Sequence, residues 1–101
     1  MDINKTHDNG TTVISVSGRV DTTTTPMLEN EIKASYDECS TLVIDFEDVK
    51  YISSAGLRIL LSAHKVMSKK SGLKVINVND EIMEIFDITG FSAILNIEKG
   101  A

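Results

Sequence analysis

Two adjacent serines, Ser53 and Ser54, stand where an apolar strand pattern gives way to an amphipathic helix pattern, and Ala55-Gly56-Leu57-Arg58 follow them. A helix start leaves backbone N–H groups unpaired and carries a partial positive charge. Either serine can therefore cap the helix. A phosphate ester formed there is accommodated with a gain of about 0.3–1 kcal/mol. The residues alone leave two readings open, a capped helix or a phosphorylatable one. Gly56 in the first turn costs about 1 kcal/mol relative to alanine in a helix interior, which asks for a reason such as close approach by another backbone.

The elements that must position these serines are legible on both sides. Upstream, Thr41-Leu42-Val43-Ile44-Asp45-Phe46 has the β-branched, apolar character of a buried strand, closed by Glu47-Asp48. Downstream, Leu57, Leu60, Leu61, His64 and Met67 recur at helical spacing, predicting a helix from Ser54 to about Ser71 that Gly72 stops. Asn9-Gly10 between Ile3 to His7 and Thr12 to Ser17 predicts an opening antiparallel hairpin. Its second strand turns Ile14 and Val16 to one face and Val13, Ser15 and Ser17 to the other.

The threonine run before Pro26 predicts a Thr-capped helix to about Cys39, with Leu28, Ile32, Tyr36 and Cys39 along one stripe. A strand over Leu73 to Val78, a helix near Asp80 to Ile88 capped by Gly90, and a terminal strand near Ile94 to Ile97 complete the series. Strands alternating with helices require crossovers and largely parallel pairing after the hairpin, an α/β architecture with a mixed sheet packed with helices.

Other chemistry is sparse. Cys39 is the only cysteine, so no intramolecular disulfide and no Cys-based zinc cluster can form, and its place in an apolar stripe reads as a core thiol. His7 and His64 read as structural groups, and Asp45, Glu47 and Asp48 as a solvated rim. No metal, cofactor or catalytic signature is expected, and the chain reads as something other than an enzyme. A net charge of −5 argues against nucleic acid, whose affinity is built on Lys and Arg contacts to phosphates. No apolar run reaches the ~20 residues that span a bilayer and none reads as a signal peptide, so no membrane contact and a cytoplasmic location are expected. At 101 residues the chain is expected to be one domain, 1–101.

Tyr51-Ile52-Ser53-Ser54-Ala55-Gly56-Leu57 resembles the phosphorylation-site signature of the STAS domain of bacterial anti-sigma factor antagonists. Gly18-Arg19-Val20-Asp21 after the hairpin and Ile85-Phe86-Asp87-Ile88-Thr89-Gly90-Phe91 near the end appear in that family's order, so the resemblance covers nearly the whole chain. It implies the STAS fold and a phosphoacceptor two residues before Gly56-Leu57, which is Ser54. Many members have Asp just before the acceptor, where this chain has Ser53.

The resemblance further implies partner switching. The unphosphorylated form binds an anti-sigma factor serine kinase, phosphorylation releases it, and a PP2C-type phosphatase reverses the change. The partner surface so implied comprises Asp21, Thr22, Ser53, Gly56, Leu57 and Arg58. The breadth of the family keeps an alternative, a non-switching STAS scaffold or sensor that binds a protein, nucleotide or small ligand.

Overall fold

The computed structural model describes residues 1–100. The element order is β1 (Asp2–Asp8), β2 (Thr11–Val20), α1 (Thr25–Ser35), β3 (Thr41–Ile52), α2 (Ser54–Met67), β4 (Gly72–Val78), α3 (Asp80–Thr89), a 3-10 turn (Phe91–Ala93) and β5 (Asn96–Lys99). Asn9 and Gly10 take φ of 50° and 81°, the left-handed geometry that lets two residues close the β1–β2 hairpin. The sheet runs in the order β1-β2-β3-β4-β5, antiparallel at the first pairing and parallel at the other three. This is the mixed α/β sheet the sequence implies.

Each crossover steps one strand in the same direction, so right-handed connections place the helices on one face. The core lies between them. Ile14 and Val16 of β2, Leu42, Ile44 and Phe46 of β3, and Leu73 and Val75 of β4 are buried there. Leu28 and Ile32 of α1, Leu57, Leu60 and Met67 of α2, and Ile82 and Phe86 of α3 are buried with them. The rings of Phe46 and Phe86 stack with centroids 6.3 Å apart, joining β3 to α3. Burying one such side chain contributes about 1.5–3 kcal/mol. On the opposite face Val13, Ser15, Val43, Asp45 and Lys74 remain partly exposed.

Several boundaries differ from the sequence expectation. β3 does not close at Glu47-Asp48 but runs on to Ile52, because two register shifts against β2 insert extra residues into it. Ser15 pairs with Asp45 and Ser17 with Asp48; Gly18 then pairs with Val49 and Arg19 with Tyr51. Each shift is a bulge, which bends the strand and resets which residues face the core. Val49 and Ile52 are thereby buried.

α1 ends at Ser35, short of Cys39. Cys39 is buried as expected and donates to the Ser35 carbonyl at 3.2 Å, but from the segment after the helix. The Lys70 ammonium donates to the carbonyls of Tyr36 and Cys39, satisfying backbone acceptors beyond that helix end. α2 ends at Met67, and Gly72, with φ of 105°, opens β4. Ile94 follows the 3-10 turn, and the last strand begins at Asn96. Gly90 caps α3 in the left-handed conformation, as its sequence predicts.

Candidate functional site

The parallel pairing of β2 and β3 brings two distant segments to one corner of the sheet. Val20 pairs with Ile52, and the Ser53 amide donates to the Val20 carbonyl at 2.8 Å. The chain then turns into α2 with Ser53 as N-cap, at φ −91° and ψ 173°. Its hydroxyl accepts from the Gly56 amide at 3.4 Å, and its carbonyl accepts from the Leu57 amide at 3.0 Å. Ser54 is the first residue of the helix and is exposed. The two serines thus have different surroundings: one hydroxyl is turned to the backbone and the other lies on an exposed residue.

Opposite them, the loop after β2 is held by Asp21 and Thr24. The amides of Thr24 and Thr25 donate to the Asp21 carbonyl at 3.1 and 2.8 Å. The Asp21 carboxylate accepts from the Thr23 hydroxyl at 2.8 Å, the Thr23 amide at 3.0 Å and the Thr24 amide at 3.2 Å. The hydroxyl of Thr23, with the amides of Thr24 and Thr23, holds that carboxyl below its ordinary pKa against a smaller opposing effect of desolvation. The Thr24 hydroxyl accepts from the Asp21 amide at 2.9 Å and donates to the Arg19 carbonyl at 2.7 Å. Thr24 is the residue before α1, with Pro26 in the first turn, yet its hydroxyl makes no capping bond to that helix. It is spent on the loop.

Two residues outside the expected set complete the corner. The Arg19 guanidinium lies 4.4 Å from the centroid of the Tyr51 ring, and its Nε is 3.6 Å from the Asp21 carboxylate. Arg19 and Tyr51 each stand two residues before a site residue, Asp21 and Ser53, and the parallel register makes them neighbours. The sequence shows both residues within the quoted motifs but not the bulges that pair them.

Of the expected surface, Thr22, Ser54 and Arg58 are exposed and Asp21 and Ser53 partly so. Gly56 and Leu57 point inward and are buried. A Cβ on Gly56 would stand 2.8 Å from Ile52 Cγ1 and 2.8 Å from Val20 Cγ1. The close approach that Gly56 permits is therefore made by side chains of β2 and β3, not by another backbone.

The rest of the chain's titratable chemistry stays dispersed. Among the described residues no three His, Cys, Asp or Glu side chains gather to hold a metal ion. His7 is exposed and shares a hydrogen bond with the Thr12 hydroxyl at 2.9 Å, and His64 is half-buried on α2. Asp45 is only partly exposed and accepts from the Glu47 amide and from Asn77, which ties it to β4, while Glu47 and Asp48 form an exposed rim. Two surface grooves, one lined by residues of β1 and β2 with Asp48 and the other by Glu47, Asn77, Asn79, Asp80, Lys99 and Gly100, include none of the site residues. No helix among the described residues is long and apolar enough to cross a membrane.

The STAS domain pattern matches residues 2–100, and the chain belongs to that family. It is 31% identical over 85 residues to the anti-sigma-B factor antagonist of Bacillus subtilis, a match covering 83% of this chain and 78% of that one. The crystal structure of an anti-sigma factor antagonist from Mycobacterium paratuberculosis superposes with a TM-score of 0.88 at 30% identity, covering 96% of this chain and 84% of the other. The fold is also shared with the Bacillus cell fate determinant SpoIIAA in its phosphorylated form, at a TM-score of 0.73 and 16% identity over 95% of this chain and 90% of that one. These relatives are regulators, and the chain is a member of a non-enzymatic family.

Proposed function

We propose that this chain is an anti-sigma factor antagonist that works by partner switching. Unphosphorylated, it binds an anti-sigma factor that is itself a serine kinase, and so frees a sigma factor. The kinase phosphorylates Ser54 with ATP and the complex separates. A PP2C-type phosphatase restores the hydroxyl. In this reading residues 1–101 act as one STAS domain in the cytoplasm, with no resident cofactor or metal and no contact with nucleic acid or membrane.

The observation that carries the reading is the exposed Ser54 at the first position of α2, in a chain 31% identical to an anti-sigma-B factor antagonist. Ser54 is substrate, not catalyst. A kinase must reach the acceptor hydroxyl, and Ser53 keeps its own turned to the Gly56 amide. The partner surface comprises Asp21, Thr22, Ser53, Ser54 and Arg58, with Gly56 and Leu57 supporting it from beneath. The phosphate adds about −1.5 to −2 charges to a surface that must otherwise pack against the partner. Binding is lost through local charge and shape while the fold is kept.

Phosphopeptide mapping after incubation with the cognate kinase and ATP tests the acceptor. Ser54→Ala should lose labelling and Ser53→Ala should retain it; the reverse pattern would transfer the role to Ser53. Calorimetric titration of the two forms against the ADP-bound kinase tests the switch, with circular dichroism as the check on folding. Equal affinity of the phosphorylated and unphosphorylated forms would overturn it.

A further inference from the structure

Ser54 and Arg58 lie one turn apart on α2, at i and i+4, and both are exposed. Side chains so spaced are neighbours on one side of a helix, with Cβ atoms about 5–6 Å apart. Arg58 is one of only two arginines in a chain of net charge −5. The other, Arg19, is stacked on Tyr51 and set beside Asp21. Arg58 enters none of the ion pairs formed among the described residues. The first turn of α2 holds no acidic residue, so nothing on the helix offsets a cation placed near its positive end.

We propose that Arg58 is the receptor for a phosphate on Ser54, folding back one turn to take two phosphate oxygens in paired N–H···O bonds. This rests on the reading of Ser54 as phosphoacceptor. In the transfer, the Ser54 Oγ–P bond forms and the bond from the γ-phosphorus to the β–γ bridging oxygen breaks. ADP leaves with that electron pair, and the hydroxyl proton passes to the kinase's base.

The product sets an anion N-terminal to a cation at i and i+4, the favourable order on a helix, and guanidinium is the side chain suited to bidentate contact with phosphate. The same clamp is not offered to Ser53, whose i+4 neighbour is the buried Leu57. Phosphorylation thus alters the surface twice. It adds negative charge, and it withdraws from the partner the one arginine of the site that enters no ion pair among the described residues.

The test is a phosphorus NMR titration of the full chain carrying phosphoserine installed at position 54 during translation, which needs no kinase. The second phosphate pKa should lie lower in the parent phosphoprotein than in its Arg58→Gln variant, by about half a pH unit for an exposed pair. Arg58→Lys should keep part of the shift, and Arg19→Gln should leave it in place. The phosphate should also raise the thermal midpoint, with the increment reduced in Arg58→Gln to the part that the helix start itself supplies. Identical titrations of the parent and Arg58→Gln phosphoproteins, or a shift that follows Arg19, would overturn the clamp. Failure of the kinase to label Ser54 would instead overturn the switching role, and the titration would still decide what Arg58 does.

Discussion

The Arg19 guanidinium stands 4.4 Å from the centre of the Tyr51 ring, and the two residues are register partners across the parallel β2–β3 pair. Both strands leave the sheet just beyond this stack, one into the Asp21–Thr24 loop and the other into Ser53. The stack therefore lies beside the Val20–Ile52 pairing and the Ser53 amide bond to the Val20 carbonyl, which join the two halves of the site. An exposed cation–π contact is worth about 0.5–1 kcal/mol. A double-mutant cycle of Arg19→Gln and Tyr51→Leu, followed by urea denaturation, should show coupling of that size. Simple additivity would mean that the stack contributes no stability.

Gly56→Ala sets two effects against each other. Alanine improves helix propensity by about 1 kcal/mol. Its Cβ, however, would stand 2.8 Å from branch carbons of Val20 and Ile52, both buried and both stiff at χ1. Overpacking of this kind costs about 1–3 kcal/mol, so the expected result is a net loss of about 1 kcal/mol. Chemical denaturation measures it. A more stable variant would show that β2 and β3 yield without strain.

The fold and the site were legible in the sequence to different depths. Leu42, Ile44 and Phe46 alternate cleanly, but Val49 and Ile52 reach the core only because two bulges shift β3 against β2, and bulges depend on the partner strand. A local pattern cannot carry them. Ile94 and Leu95 look like strand residues, yet the chain after the 3-10 turn carries Leu95 into the core and the strand begins only at Asn96, with Ile97 as its one apolar residue packed against the core. At the site, Ser53 and Ser54 were visible as a helix start, whereas the inward aim of Gly56 and the Arg19–Tyr51 stack arise from tertiary packing.

The two serines should separate in stability as well as in modification. Ser53 is the N-cap, and replacing a capping serine by alanine costs about 0.5–2 kcal/mol. The 3.4 Å separation from the Gly56 amide puts the expected cost at the low end. Ser54 makes no side-chain bond among the described residues, and alanine is the better helix former there. Urea denaturation should find Ser53→Ala less stable than the parent and Ser54→Ala equal to it or slightly more stable. A larger loss at Ser54 would reveal a native interaction of its hydroxyl.

Asp21 ties the site to acid stability. The hydroxyl of Thr23 and the amides of Thr24 and Thr23 favour its charged form, so its pKa is lower in the folded chain than in the unfolded one. Between those two values the unfolded state binds more protons, and stability rises with pH. The contribution is complete above the ordinary aspartate value of about 3.9 and is lost as the pH falls through it toward the depressed folded value. Asp21→Asn keeps an acceptor for the threonines but removes the charge, resembling the protonated acid. At neutral pH the variant should be less stable than the parent, and the difference should narrow as the pH falls below about 4. Urea midpoints measured from pH 7 to pH 3 decide it: a constant gap across that range would mean that the carboxylate charge is not what holds the loop.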